Sequence, residues 1–64
     1  MAENVIASKA CVLIANNLGE VTADYYRQFY QGKDEELIIR SVTELLSEVV
    51  GPVNAKNQLA AVNL

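Results

Sequence analysis

The sequence predicts an all-α fold: a compact assembly of three helices, or of four if the last segment also folds, completed by dimerisation. Along most of the chain, apolar side chains recur three and four residues apart, which is the spacing of one helix face. Three single glycines each follow such a stretch, at the place where a helix end often requires positive φ. The prediction is one domain over residues 1–64, with helices at about 3–18, 22–31, 34–50 and 54–62.

The first predicted helix, residues 3–18, is apolar around most of its circumference. A helix of this kind is normally surrounded by neighbours. The run Ala10–Ala15 also fits a β-strand, because periodicity alone does not separate strand from helix in a short apolar run. The many alanines and the Asn-Asn-Leu-Gly exit favour the helix.

The second predicted helix begins at Thr22, whose side chain suits the N-cap position. Asp24 follows in the first turn, where a negative charge interacts favourably with the helix dipole. Val21 before the cap and Tyr26 inside the helix have the spacing of a hydrophobic staple. The helix is expected to end near Gln31.

The third predicted helix has the clearest pattern. Asp34 can cap its start, and Gly51-Pro52 ends it. Two apolar rows run between these ends: Ile38, Val42, Leu45 and Val49 in one, and Ile39, Leu46 and Val50 in the other. Because this face is wider than one neighbouring helix requires, one row is expected to pack inside the chain while the other meets a second chain.

The last segment carries weaker signals. Asn54 is a reasonable N-cap, and Leu59 and Val62 are its two sizeable apolar residues. The segment is short, so both a docked helix and a frayed tail are compatible with it.

Length and composition together predict association. A chain of 64 residues buries only about 60% of the surface that its unfolded form exposes. Small domains usually compensate with disulfides, a metal or contacts between subunits. This chain has one cysteine and no histidine, yet 52% of its residues are apolar. With a disulfide and a zinc site disfavoured, association remains, and a symmetric homodimer is expected because two-fold pairing is the commonest closed oligomer.

All four aromatic residues lie within six positions of the second predicted helix: Tyr25, Tyr26, Phe29 and Tyr30. Tyrosine is enriched at protein interfaces, but a short helix must also bury one face to persist. We expect Tyr25 and Phe29 to be mainly core, with Tyr26 or Tyr30 at a subunit or partner contact. The predicted interface residues are Tyr26, Tyr30, Ile39, Leu46 and Val50.

The candidate chemical groups favour no catalytic, metal or cofactor site. Cys11 lies in mid-helix among apolar neighbours, so a small buried hydrophobe is the better interpretation than a reactive thiol. Glu44 and Glu48 share a helix face, but a helical di-iron site also needs histidines. The sequence therefore predicts a protein that is not an enzyme.

The function predicted from the sequence is a small acidic protein–protein interaction or regulatory module. It would act as a homodimer, or as a subunit or adaptor of a larger partner, in the cytoplasm and away from membranes. The net charge of −3 and the scattered basic residues disfavour nucleic-acid binding. The alternative is a DNA-binding regulator with a helix-turn-helix between Gly19 and Gly51, in which Arg27 and Gln28 would face the DNA.

Overall fold

A computed structural model describes residues 5–64 of the chain as a four-helix fold without strands in that range. The helices are α1 (Val5–Leu18), α2 (Glu20–Tyr30), α3 (Glu35–Val50) and α4 (Pro52–Ala61). The all-α prediction is confirmed, and the alternative of a strand through Ala10–Ala15 is wrong. The last segment folds, so the helices number four rather than three. The predicted helix start at residue 3 lies outside the described residues.

A single glycine connects α1 to α2. The main-chain N–H of Gly19 donates to the carbonyl of Ala15 over 3.0 Å, and the N–H of Ala23 donates to the carbonyl of Gly19 over 3.1 Å. One residue therefore ends α1 and begins α2. The predicted start of α2 at Thr22 is therefore wrong. Val21 lies inside the helix and not before its N-cap, so it cannot form the predicted hydrophobic staple with Tyr26.

Gly51 connects α3 to α4 in the same way. Its N–H donates to the carbonyl of Ser47 over 3.0 Å, and its carbonyl accepts from the N–H of Ala55 over 2.9 Å. Pro52 occupies the first position of α4. A main-chain N–H at this position has no acceptor within the helix, so proline, which lacks the N–H, is well tolerated there. The predicted cap Asn54 lies inside α4, and its Nδ2 donates to the carbonyl of Val50 over 3.0 Å.

Residues 31–34 connect α2 to α3. The N–H of Lys33 donates to the carbonyl of Tyr30 over 3.1 Å, and Gly32 has φ +73°. Asp34 occupies the N-cap position of α3, as predicted, with extended backbone. Its carbonyl accepts the first helical bond from Ile38 over 3.0 Å, while its side chain makes no capping bond.

Residues 62–64 form a hydrogen-bonded turn at the end of α4. Asn63 has φ +64°. Its N–H donates to Ala60 over 3.0 Å, and the N–H of Leu64 donates to Leu59 over 2.8 Å, which is the Schellman pattern of helix ends. Leu64 packs against the core. Of the two alternatives for the last segment, the structure therefore has the docked helix.

The core lies around α1, which packs against α2 and α3, while α4 packs against α3. Two side-chain hydrogen bonds also connect helices. The Asn17 and Gln58 amides pair across α1 and α4, with Nδ2 and Oε1 2.7 Å apart, and the Tyr30 hydroxyl of α2 lies 2.9 Å from Ser41 Oγ of α3. The buried core residues are Ala10, Cys11, Leu13, Ile14, Ala23, Tyr30, Ile38, Val42, Leu46, Ala55 and Leu59.

Candidate interaction surface

An apolar row runs along the outer side of α2. Val21, Tyr25 and Phe29 are spaced four residues apart and expose 86%, 66% and 44% of their surface. We call these three residues the α2 row. The other large exposed apolar residues in the described range are distributed over the remaining helices: Val5, Val12, Leu37, Val49 and Val53. Single exposed hydrophobes are normal on proteins, so the α2 row is the most concentrated apolar feature of this surface.

The aromatic rings of α2 form a connected cluster from the core to the surface. Tyr26 is half-buried at its centre, with its ring centroid 5.3 Å from Tyr25 and 6.3 Å from Phe29, both nearly perpendicular. The ring of Tyr30 lies 5.7 Å from Tyr26 and 5.6 Å from Phe29. The two perpendicular contacts of Tyr26 are of the edge-to-face kind that aromatic pairs favour. The half-buried Tyr26 and the buried Tyr30 therefore support the exposed rings of Tyr25 and Phe29.

The predicted orientation of α2 is wrong, because Tyr25 and Phe29 face outward. The buried face contains Ala23 and Tyr30, seven residues apart, with the half-buried Tyr26 between them. Both sides of the helix carry aromatic residues, so apolar spacing alone does not show which side is buried. The charges do not decide it either, because Arg27 lies four residues after the buried Ala23 and three before the buried Tyr30.

Two predicted interface residues are also corrected. Tyr30 and Leu46 are fully buried within the chain, so neither is available to a second protein. The row of α3 that packs inside the chain is Ile38, Val42 and Leu46, since all three are completely buried. The other three predicted interface residues, Tyr26, Ile39 and Val50, are half-buried.

Charged side chains lie beside the α2 row. Asp24 and Arg27 form an exposed ion pair one turn apart on α2. The ammonium of Lys33 lies 5.5 Å from the centre of the Phe29 ring, within the range of a cation–π contact. Glu20 is exposed at the start of the helix. The surface therefore has an apolar centre with charges of both signs at its edge, as in many protein interfaces.

A concave region lies between α3 and α4. It is an open, mostly apolar groove of about 450 Å³, lined by Thr43, Ser47, Pro52, Lys56, Leu59, Ala60 and Leu64. Its largest apolar members, Leu59 and Leu64, also pack in or against the core. The groove presents one charged side chain, Lys56, and no aromatic ring.

Two buried side chains have shifted pKa values. Burial raises the pKa of the Cys11 thiol above 9.0; Arg27 opposes this and Asp24 adds to it. Burial also raises the pKa of Tyr30 above 10.0, against the effect of its hydrogen bond to Ser41. A thiol whose pKa is raised carries little thiolate at neutral pH. The position of Cys11 in the core is that of a small hydrophobe, as the sequence predicts.

The Tyr30 shift predicts a loss of stability at alkaline pH. Above pH 10.0 the unfolded chain releases this proton while the folded chain retains it, so the free energy of unfolding falls as pH rises. Urea unfolding at a series of pH values measures how steeply the free energy of unfolding falls with pH. Tyr30→Phe should flatten this dependence. An equal slope in Tyr30→Phe and the native chain would contradict the assignment.

Within residues 5–64, no group of three or more acidic, cysteine or histidine side chains is arranged to hold a metal ion. None of the helices described is long and apolar enough to cross a membrane. The chain matches no protein-family model, no curated protein and no solved structure.

Proposed function

We propose that this chain is a small acidic protein–protein interaction or regulatory module, working in the cytoplasm as a homodimer or as a subunit or adaptor of a larger partner. The observation that supports this most directly is the α2 row. Its three apolar side chains face away from the chain's own core. A surface of this kind is stabilised when another protein covers it.

The arrangement of the α2 row favours binding in two further ways. Tyrosine offers a large contact area with a polar tip, and it is prominent among the residues that dominate interface energetics. The rings are also supported from beneath, because Tyr26 contacts both Tyr25 and Phe29 and itself packs on the core. Side chains that are ordered before binding lose less conformational entropy when the complex forms.

The alternative, a DNA-binding regulator, has less support. In such a protein α2 would supply the recognition side chains, and its one arginine, Arg27, is paired with Asp24. The exposed Glu20 and Asp24 on the same helix would lie close to phosphates and oppose binding. We propose no catalytic role for the chain.

Tyr25→Glu tests the proposed function. We expect this change to weaken self-association, or capture of the natural partner, by tenfold or more, since tyrosine at the centre of an interface is among the residues whose truncation costs about 2 kcal/mol or more. Light scattering of the purified protein and intact-mass measurement of complexes isolated from its own cells provide the two readouts. Circular dichroism should show unchanged helicity.

Val53→Glu is the matched control, because Val53 is an exposed apolar residue of α4, 73% accessible, outside the α2 row. It should leave association unchanged. The proposal fails if the native chain is monomeric at micromolar concentration and no protein accompanies it. It also fails if both variants bind as the native chain does.

A further inference from the structure

Gly19 and Gly51 connect their helices with nearly the same backbone, φ +93° and ψ 166° at Gly19 and φ +88° and ψ 155° at Gly51. The residue that follows makes the two connections different. Pro52 follows Gly51, and a proline inside a helix lacks the N–H for the main-chain hydrogen bond and clashes with the carbonyl four residues before it. Glu20, which follows Gly19, has neither restriction. The α1–α2 connection can therefore straighten into one helix, whereas the α3–α4 connection cannot.

Straightening α1 and α2 requires a change mainly at Gly19. Its N–H already donates to the carbonyl of Ala15, and its carbonyl accepts from the N–H of Ala23, as in a continuous helix. The first three N–H groups of α2 and the last three carbonyls of α1 have no partner within their own helices, and no side-chain capping bond forms at the start of α2. In a joined helix over residues 5–30, these groups would bond to each other.

In the joined helix, the α2 row continues the inner side of α1. That side contains the buried Cys11 and Ile14, with Ala7 and Leu18 packed against the core. The α2 row follows Leu18 at the same spacing of three and four residues. At about 100° per residue, all these side chains lie within a sector of about 80°. We call this set the joined seam, and it consists of Ala7, Cys11, Ile14, Leu18, Val21, Tyr25 and Phe29.

The charged side chains of the two helices also come into phase. In the joined helix, the charged residues between positions 5 and 30 lie within about 60° of one another, centred about 130° from the joined seam. They are Lys9, Glu20, Asp24 and Arg27. In the form with two separate helices, which we call the closed form, Arg27 lies instead next to the buried Ala23 and Tyr30. The pattern of charged and apolar residues therefore fits the joined helix better than the closed form.

The joined seam is too long for the rest of the chain to cover. A helix over residues 5–30 is about 39 Å long, whereas α3, with 16 residues, is about 24 Å long and is ended by Gly51-Pro52. A second joined helix has the same length and the same apolar spacing. Apolar residues that alternate at three and four positions are those through which two helices pair along their length. Length and pattern together fit a second copy of this chain.

We infer that this chain exchanges between the closed form and a dimer in which α1 and α2 join into one helix through Gly19, with the joined seams of two copies packed together. The inference rests on the proposed function and names a second copy as the partner. Joining moves α2 away from α1 and opens part of the core described above. Without a second copy this loss favours the closed form, so the dimer should appear as the protein concentration rises.

Glu20→Pro tests the joined helix, because it copies the Gly51-Pro52 arrangement onto Gly19. Proline is tolerated at the first position of a helix, so circular dichroism should show the helicity of the closed form. The joined helix would have this proline in its interior. We expect the dimer dissociation constant, measured by sedimentation equilibrium, to rise at least about a hundredfold. Glu20→Ala removes the same charge but permits both forms, so it should change this constant by less than about tenfold.

Gly19→Ala should have the opposite effect. Alanine at φ +93° is strained in the closed form, although the space beside it is open, and alanine is the best helix former in the joined helix. The dimer dissociation constant should therefore fall by about a hundredfold or more. Gly51→Ala is the matched control, since it introduces similar strain where Pro52 prevents joining. It should destabilise the chain without strengthening association.

The other outcomes separate this inference from the proposed function. A native dimer that Glu20→Pro leaves intact would overturn the joined helix, as would a native chain that remains monomeric up to about 1 mM. If Gly19→Ala unfolds the chain, Glu20→Pro and Glu20→Ala decide the question by themselves. Where the joined helix is overturned, loss of a different bound protein in Tyr25→Glu, but not in Val53→Glu, would still support the proposed function.

Discussion

Leu46→Ala is expected to lower the free energy of unfolding by about 2–5 kcal/mol, because it removes a completely buried side chain and leaves a cavity. A domain of 64 residues has a total stability of only about 3–10 kcal/mol. The variant should therefore be close to unfolding at room temperature. Urea unfolding followed by circular dichroism measures the change.

Leu37→Ala is the matched control, since it makes the same substitution on the same helix at a side chain that is 41% exposed. It should lower the free energy of unfolding much less than Leu46→Ala does. Similar losses at the two positions would contradict the assignment of Leu46 to the core. They would also restore the sequence-based expectation that Leu46 faces a second chain.

Gly51→Asn is expected to lower the free energy of unfolding by about 1–3 kcal/mol through backbone strain. Gly51 has φ +88° and ψ 155°, a combination that residues with a side chain rarely adopt. The space beside it is open, since nothing lies within 4 Å of an added Cβ. The loss should therefore come from the backbone conformation, with no contribution from a steric clash.

Gly32→Asn is the matched control for this prediction. Gly32 also has positive φ, +73°, but it follows Gln31 at φ −62° and ψ 128° in the turn closed by the Lys33 N–H and the Tyr30 carbonyl. This is the position of a type II turn at which asparagine is also found. Thermal and urea unfolding should show a clearly smaller effect at Gly32 than at Gly51. Equal losses of unfolding free energy at both positions would mean that the φ and ψ angles of Gly51 do not cause the loss.

Much of the secondary structure was predictable because its signals are local. The apolar spacing of α3, Asp34 at its start and Gly51 at its end all lie in adjacent sequence, and the structure places them as predicted. The starts of α2 and α4 were predicted two residues late. There the sequence offers Thr22 and Asn54 as side-chain caps, whereas one glycine ends each preceding helix and begins the next.

The candidate surface was less predictable, because which side of a helix is buried depends on its neighbours. Apolar residues occupy two adjacent rows on both α2 and α3, and spacing gives each row equal weight. In α2, the side that packs inside the chain carries Ala23 and Tyr30, and Tyr25 lies on the outside. In α3, contacts with both α1 and α4 bury Leu46 together with Ile38 and Val42.

The two single-glycine connections have a consequence for how the chain folds. Each places two consecutive helices side by side with almost no intervening loop. The contacts of α1 with α2, and those of α3 with α4, are therefore made between residues that are close in sequence. Proteins dominated by such short-range contacts search fewer arrangements, and they fold in microseconds to milliseconds. The slower step that remains is the meeting of the two helix pairs, in which α1 packs against α3.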